Sequence, residues 1–350
     1  MERRRVLAIA GALAASLAGG LLCAWLGAPL PWMVGPLVAM AIVQFGGGSL
    51  QAPPYGREAG QLTIGSALGL YFTPAVAGAV LAYWPALVLT AFGVLSVGFI
   101  ASAFLARVAR VDAATAFFSS AIGGAQEMVN LAERYGALAD RVALSHSLRL
   151  LIVVTCVPVA ITLLGRGGTD DYRPVLLPFD AGGLAILATI ALAAALLARR
   201  LRVPNAYTMG PLLASIAVTA SGLALTSMPT AVTNAAQLLL ACSLGARFQR
   251  SFLREAPRFV AAVLASVALM LLLASALGAL LAWWAGMPVA TLLLACAPGG
   301  IAEMAITAKV LRVGVAFVTA AHVLRFVVVM VFTDPAYRLL VRLRARGVAD

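Results

Sequence analysis

Charge is scarce in this chain. Only 11% of its 350 residues are Asp, Glu, Lys or Arg, against about 25% in a soluble domain. Hydrophobic residues make up 63%, and the mean hydropathy is +1.00. No soluble core needs that much apolar surface, so a soluble globular fold is excluded and a polytopic membrane protein is expected. Long continuous apolar runs, such as residues 259–284, replace the ~10-residue alternating segments of a transmembrane barrel. The class is therefore all-α.

Three other scarcities narrow the chemistry. The four cysteines, Cys23, Cys156, Cys242 and Cys296, stand alone in apolar runs with no C-x-x-C. They read as small buried hydrophobes, neither disulfides nor metal ligands. Lysine occurs once, at Lys309, so Arg supplies nearly all of the net charge of +12. No basic patch is interleaved with aromatics, and no polar segment is long enough for a DNA-binding domain, which argues against direct nucleic-acid contact. In a membrane chain such charge marks cytoplasmic loops. Histidine occurs only twice. No metal and no cofactor is expected.

Those two histidines fall at equivalent places of a repeated stretch. Residues 121–149 read AIGGAQEMVNLAERYGALADRVALSHSLR, and residues 297–325 read APGGIAEMAITAKVLRVGVAFVTAAHVLR. At an offset of 176 they share Gly123-Gly124 with Gly299-Gly300, Glu127 with Glu303, His146 with His322 and Arg149 with Arg325. The likeness extends outward. Gly35-Pro36 matches Gly210-Pro211, and Gln61 with Leu68-Gly69 matches Gln237 with Leu244-Gly245. The expected organisation is a first membrane repeat over 1–168, a polar connector over 169–180 and a second repeat over 181–350.

Spans are expected near 6–26, 31–47, 59–80, 85–106 and 141–165, and again near 181–198, 204–223, 232–247, 259–284 and 315–337. The Gly-Gly segments, 111–135 and 287–311, either cross once or break at the glycines and return. With five spans per repeat, a re-entrant Gly-Gly segment and a cytoplasmic N-terminus, the second repeat is inverted. Nearly all basic residues then face the cytoplasm, including 199–202 and 247–258. Only Arg166, Arg173, Lys309 and Arg312 face outward, while Arg149 and Arg325 lie in the membrane. Six spans per repeat would put the clusters at 199–202 and 247–258 outside, against the positive-inside bias.

Each polar motif has a bland and a functional reading. Paired glycines let helices pack closely; they also permit a mid-membrane break, tolerated only where it lines a cavity. A break there leaves a half-helix N-terminus, with free N–H groups and partial positive charge, facing that cavity. Gly35-Pro36 and Gly210-Pro211 form a second paired interruption, a kink or a ligand-lining break. Glu127 and Glu303 lie near the start of the half-helices. An acid at mid-bilayer costs roughly 2.5–3.5 kcal/mol, which favours an ion or proton site. His and Arg three apart share a helix face. Arg149 and Arg325 are expected to pair with the acids, and a neutral His takes up a proton near pH 6.5.

The paired G-G-x-x-E-M and H-x-x-R motifs resemble the duplicated membrane AbrB family over nearly the whole chain. Its members also carry the labels ammonia monooxygenase and regulator of gene expression. The enzyme label fits poorly, because a copper or iron oxygenase needs a His-rich ligand set. The arrangement is also similar to cation–proton antiporter and bile-acid-symporter-like carriers, by architecture alone. The expected protein is a multi-pass protein of a bacterial inner membrane with both termini cytoplasmic. It is a secondary transporter of a small anionic or polar solute coupled to H⁺ or Na⁺. The rival reading is a membrane-embedded ligand sensor that affects gene expression, and an enzyme comes third. The expected site is Gly123, Gly124, Glu127, His146, Arg149, Gly299, Gly300, Glu303, His322 and Arg325, with helix breaks at Gly35, Pro36, Gly210 and Pro211. Expected partners are the solute or ion and the lipid bilayer, and self-association into a homo-oligomer is compatible with such a chain.

Overall fold

The structure, a computed structural model, describes residues 2–165, 178–223, 225–248, 250 and 256–346. The expected connector falls mostly outside the described residues, as do Arg166, Arg173 and Arg254. The described elements are all helical. The first run is α1 (Glu2–Trp25), α2 (Pro31–Phe45), α3 (Gly56–Gly69), α4 (Pro74–Ala82), α5 (Trp84–Ala109), α6 (Ala113–Ser120), α7 (Ala125–Arg134) and α8 (Ala139–Leu163). The second is α9 (Ala181–Arg200), α10 (Ala206–Ala220), α11 (Thr230–Gly245), α12 (Pro257–Ala285), α13 (Val289–Cys296), α14 (Ile301–Leu311) and α15 (Val315–Arg346).

Six of these helices, α1, α5, α8, α9, α12 and α15, are long and apolar enough to cross a membrane. A bilayer core of ~30 Å needs about 20 helical residues. Their outward faces are apolar: Trp25 and Trp283, each near the end of its helix, are 81% and 82% exposed, as aromatic residues at a lipid interface are. Cys242 and Cys296 are buried as expected, Cys23 is half-buried and Cys156 is exposed on α8.

Two expectations need correction. Residues 59–80 are not one straight span: α3 and α4 meet at a bend of 87°. Pro74 opens α4, and Thr73 before it is extended (φ −62°, ψ 162°) and accepts a hydrogen bond from Val76 N at 3.4 Å. The residue before a proline avoids the helical region, so the chain turns there. Second, α2 and α10 run unbroken through Gly35-Pro36 and Gly210-Pro211. The glycines are close-packing positions. A Cβ at Gly35 would lie 2.2 Å from the carbonyl oxygen of Gly19 in α1, and one at Gly210 would lie 2.5 Å from that of Ala194 in α9. The small glycines let α2 pack closely on α1 and α10 on α9.

The helices form two groups. In one, α1 packs on α2, α9 on α10, and α3 packs against both α10 and α11, while α2 packs against α11. In the other, α5 packs on α12, with α6, α8, α13 and α15 around them. Between the groups the backbones approach at only a few helix pairs, among them α2 with α8 and α3 with α14. The seam between them holds the cavity described next.

Candidate functional site

The Gly-Gly segments interrupt their helices at matching places. α6 ends at Ser120 and α7 starts at Ala125; α13 ends at Cys296 and α14 starts at Ile301. Ala121 and Ala297 leave the helical region with ψ of 129° and 137°. Gly124 and Gly300 are the N-caps of the second half-helices, extended and without a side chain to cap. The first-turn N–H groups of α7 and α14 therefore have no side-chain acceptor at the cap.

The acids fold back toward the same helix starts. Glu127 and Glu303 are the third residues of α7 and α14, the position from which a carboxylate reaches back to the helix start. A Cβ at Gly124 would lie 2.0 Å from Oε2 of Glu127, and the same holds for Gly300 and Glu303. A side chain at the second glycine of each pair would displace the carboxylate that folds over it.

Arginine holds the other side of each break. Nη1 of Arg149 donates to the Ala121 carbonyl at 2.8 Å and Nη2 to that of Gly123 at 3.4 Å. Arg325 donates to Ala297 at 2.8 Å and to Gly299 at 2.5 Å. The end of a half-helix leaves carbonyls unpaired with partial negative charge, and a guanidinium fork satisfies two at once. The expected Glu–Arg pairing is corrected here. Among the described residues neither Arg149 nor Arg325 forms an ion pair within 4.0 Å; the acids fold over the glycines that start their own half-helices and the arginines bind backbone.

The histidines sit one turn earlier. Nε2 of His146 bonds the carbonyl of Phe118 at 2.9 Å, and that of His322 the carbonyl of Leu294 at 3.0 Å. A carbonyl only accepts, so Nε2 carries the proton in both. Both rings are fully buried.

A cavity of about 290 Å³ opens between the two breaks. Its wall includes Gly123, Gly124, Glu127, Arg149, Gly299, Gly300, Glu303 and Arg325 from the group holding α8 and α15. Two residue sets 176 positions apart are thus brought to one chamber. His146 and His322 are not on its wall, and neither are Gly35, Pro36, Gly210 and Pro211. The opposite wall, from the other group, carries Arg57, Glu58, Gln61, Asn205, Thr208 and Arg247. Gln61 Nε2 donates to Oδ1 of Asn205 at 3.0 Å, and the Thr208 hydroxyl donates to the same oxygen at 3.2 Å. Sequence reading took Arg57 and Arg247 for loop charges and passed over the rest; Gln61, matched by Gln237, was the one available signal. Among the described residues no three His, Cys, Asp or Glu side chains gather as a metal-binding group.

The cavity can hold a small polar solute between two helix groups. Four guanidiniums, three carboxylates and two half-helix N-termini face it. These features define a multi-pass membrane protein of the bacterial type with a carrier-like helical architecture.

Within that class the chain belongs to the family described as Transition state regulatory protein AbrB, whose profile matches residues 32–341. It is 27% identical over 362 residues to the uncharacterized protein YhjN of Bacillus subtilis (strain 168), covering 94% of this chain and 92% of that one. It is 25% identical over 310 residues to a protein of Escherichia coli (strain K12) named as a candidate regulator, AbrB, covering 88% and 89%. Neither an ammonia-monooxygenase nor a duplication label accompanies these matches.

Proposed function

We propose that the protein is a secondary transporter of a small anionic solute, seated in the inner membrane with both termini cytoplasmic. One observation carries this reading: a charged cavity lies on the seam between two helix groups, lined from both sides. A solute held there touches both groups, so a shift of one against the other carries it from one face to the other. Two half-helix N-termini and Arg149 and Arg325 favour an anion. In this reading residues 1–168 and 181–350 are inverted repeats, and their pseudo-two-fold axis brings the two breaks together. Glu127 and Glu303 take the coupling H⁺ or Na⁺. Each acid sits where solute and ion are felt at once, and no catalytic step is needed.

Flux in proteoliposomes tests this. Purified protein with an imposed proton or sodium gradient is expected to accumulate radiolabelled organic anions. Glu303→Gln is expected to abolish accumulation driven by the gradient while solute exchange persists. Binding without flux under every gradient would instead favour a ligand sensor that acts on gene expression. That second reading draws on the regulator description of the family and of the Escherichia coli relative.

A further inference from the structure

The two walls of the cavity are not alike. One is built from the matching motifs. The other carries Arg57 and Arg247, and neither has a matching partner: position 233 is Thr233 and position 71 is Tyr71. These two cations therefore belong to one side of the seam only. Arg57, Glu58 and Glu303 are the charged groups that act on Arg247. Neither guanidinium forms an ion pair within 4.0 Å among the described residues, and Nε of Arg57 is buried with no hydrogen-bond partner. Two like charges share this wall with one adjoining acid, Glu58. Across the cavity Arg149 and Arg325 are each 3% exposed, and Nε of each likewise has no partner.

Charge arithmetic sets the valence. Four guanidiniums against three carboxylates on the wall leave one positive charge. The partial charges at the N-termini of α7 and α14 are offset by those at the C-terminal ends of α6 and α13 in the same breaks; one coupling H⁺ or Na⁺ on Glu127 or Glu303 raises the wall to about +2. A monoanion leaves this chamber charged in a low-dielectric setting; a dianion neutralises it. Size sets the rest. At about 290 Å³ the cavity is at the small end for ligand sites, which suits a short aliphatic chain. The forks of Arg149 and Arg325 bind backbone carbonyls, but those of Arg57 and Arg247 match a carboxylate.

We infer that the solute is a short dicarboxylate that spans the seam, one carboxylate on Arg57 and Arg247 and the other at the N-termini of α7 and α14 beside Arg149 and Arg325. This rests on the reading of the cavity as a solute site. It also gives the solute a mechanical part, since its two ends tie the two helix groups together.

The test uses the purified full-length protein and four probes at fixed pH and ionic strength. Succinate and glutarate carry two separated charges, butyrate carries one, and sulfate carries two on one centre. Calorimetric titration is expected to give succinate or glutarate an affinity about tenfold or more above butyrate and sulfate, the worth of one added charge-assisted contact. Arg247→Gln and Arg57→Gln are each expected to narrow that ratio, and Arg247→Lys to restore part of it, which separates lost charge from lost folding. Equal binding of butyrate and the dicarboxylates overturns the two-group inference and leaves the anion site standing. Sulfate binding as well as succinate overturns the spanning geometry. Binding of none of the four removes the inference and the solute reading together.

Discussion

The carboxylate of Glu303 occupies the space a side chain at Gly300 would need: a Cβ built there lies 2.0 Å from Oε2. Glu127 and Gly124 repeat the relationship in the first break. A glycine and an acid three residues on are thus one unit, and each explains the other. Gly300→Ala is expected to push the carboxylate off the start of α14, at a cost of about 1 kcal/mol or less because a flexible side chain can move aside. Solute affinity falls with it. Adding Glu303→Ala is expected to recover much of the stability but not the affinity. Thermal unfolding and calorimetry on the same samples check both. An alanine that leaves both unchanged refutes the steric account.

Arg149 holds the carbonyls of Ala121 and Gly123 rather than a carboxylate. Arg149→Leu is therefore expected to lose roughly 2 kcal/mol or more, because buried acceptors go unsatisfied. Glu127→Gln is not expected to rescue it. The two losses should add to within about 0.5 kcal/mol, as for groups without a shared bond. A double variant more stable than Arg149→Leu alone would reveal an ion pair and contradict the structure.

His322 is a backbone pin, not a wall residue. Its ring donates to the carbonyl of Leu294, the third residue before Ala297. His322→Phe is expected to lower stability by about 1–3 kcal/mol through the lost donor to a buried carbonyl. Affinity for the solute at pH 7, in whatever protein remains folded, stays near that of the unaltered protein. The pH profile of binding between 5.5 and 7.5 also keeps its shape. A flattened profile would return the histidine to the site.

Tyr135, just past α7, donates to Asp334 on α15, and Asp334 forms an ion pair with Arg338 at 2.8 Å. The three groups tie the end of α7 to α15 inside one group, beside a cluster of Phe117, Phe118 and Tyr337. Tyr135→Phe is expected to lower the melting temperature while leaving solute affinity and its salt dependence alone. Altered affinity would mean that this tie communicates with the cavity.

The proposed topology is open to direct labelling. In a variant whose natural cysteines are replaced, Arg173→Cys is expected to react with an impermeant thiol reagent on intact cells. A cysteine at Arg200 is expected to react only after permeabilisation. The reverse pattern sinks the inverted arrangement.

Much of this was legible in the chain itself, and the reason is periodicity and rarity. Long apolar runs with few charges have only one stable home, a bilayer crossed by helices. Repeated Gly-Gly-x-x-Glu-Met and His-x-x-Arg at one spacing marked both helix interruptions, since a glycine pair followed by an acid is a helix end written locally. Other features depend on what the folded chain brings near. Gly35-Pro36 looks like a break in isolation, but the helix continues and Gly35 is a close-packing position against Gly19. The bend between α3 and α4 appears only once Thr73 caps a new direction. Whether Arg149 met an acid or a backbone carbonyl was decided by the path of residues 121–123, 26 to 28 positions earlier. The histidines, polar and rare, turned out to face backbone because the Phe118 and Leu294 carbonyls lie within reach. Arg57 and Arg247 read as loop charges by the positive-inside pattern. Only the packing of α3 against the second group, with Arg247 following α11 beside it, made them a cavity wall. Sequence determined the six long apolar helices and the two Gly-Gly interruptions, because those are set by neighbours along the chain; tertiary structure alone decided which charges share a space.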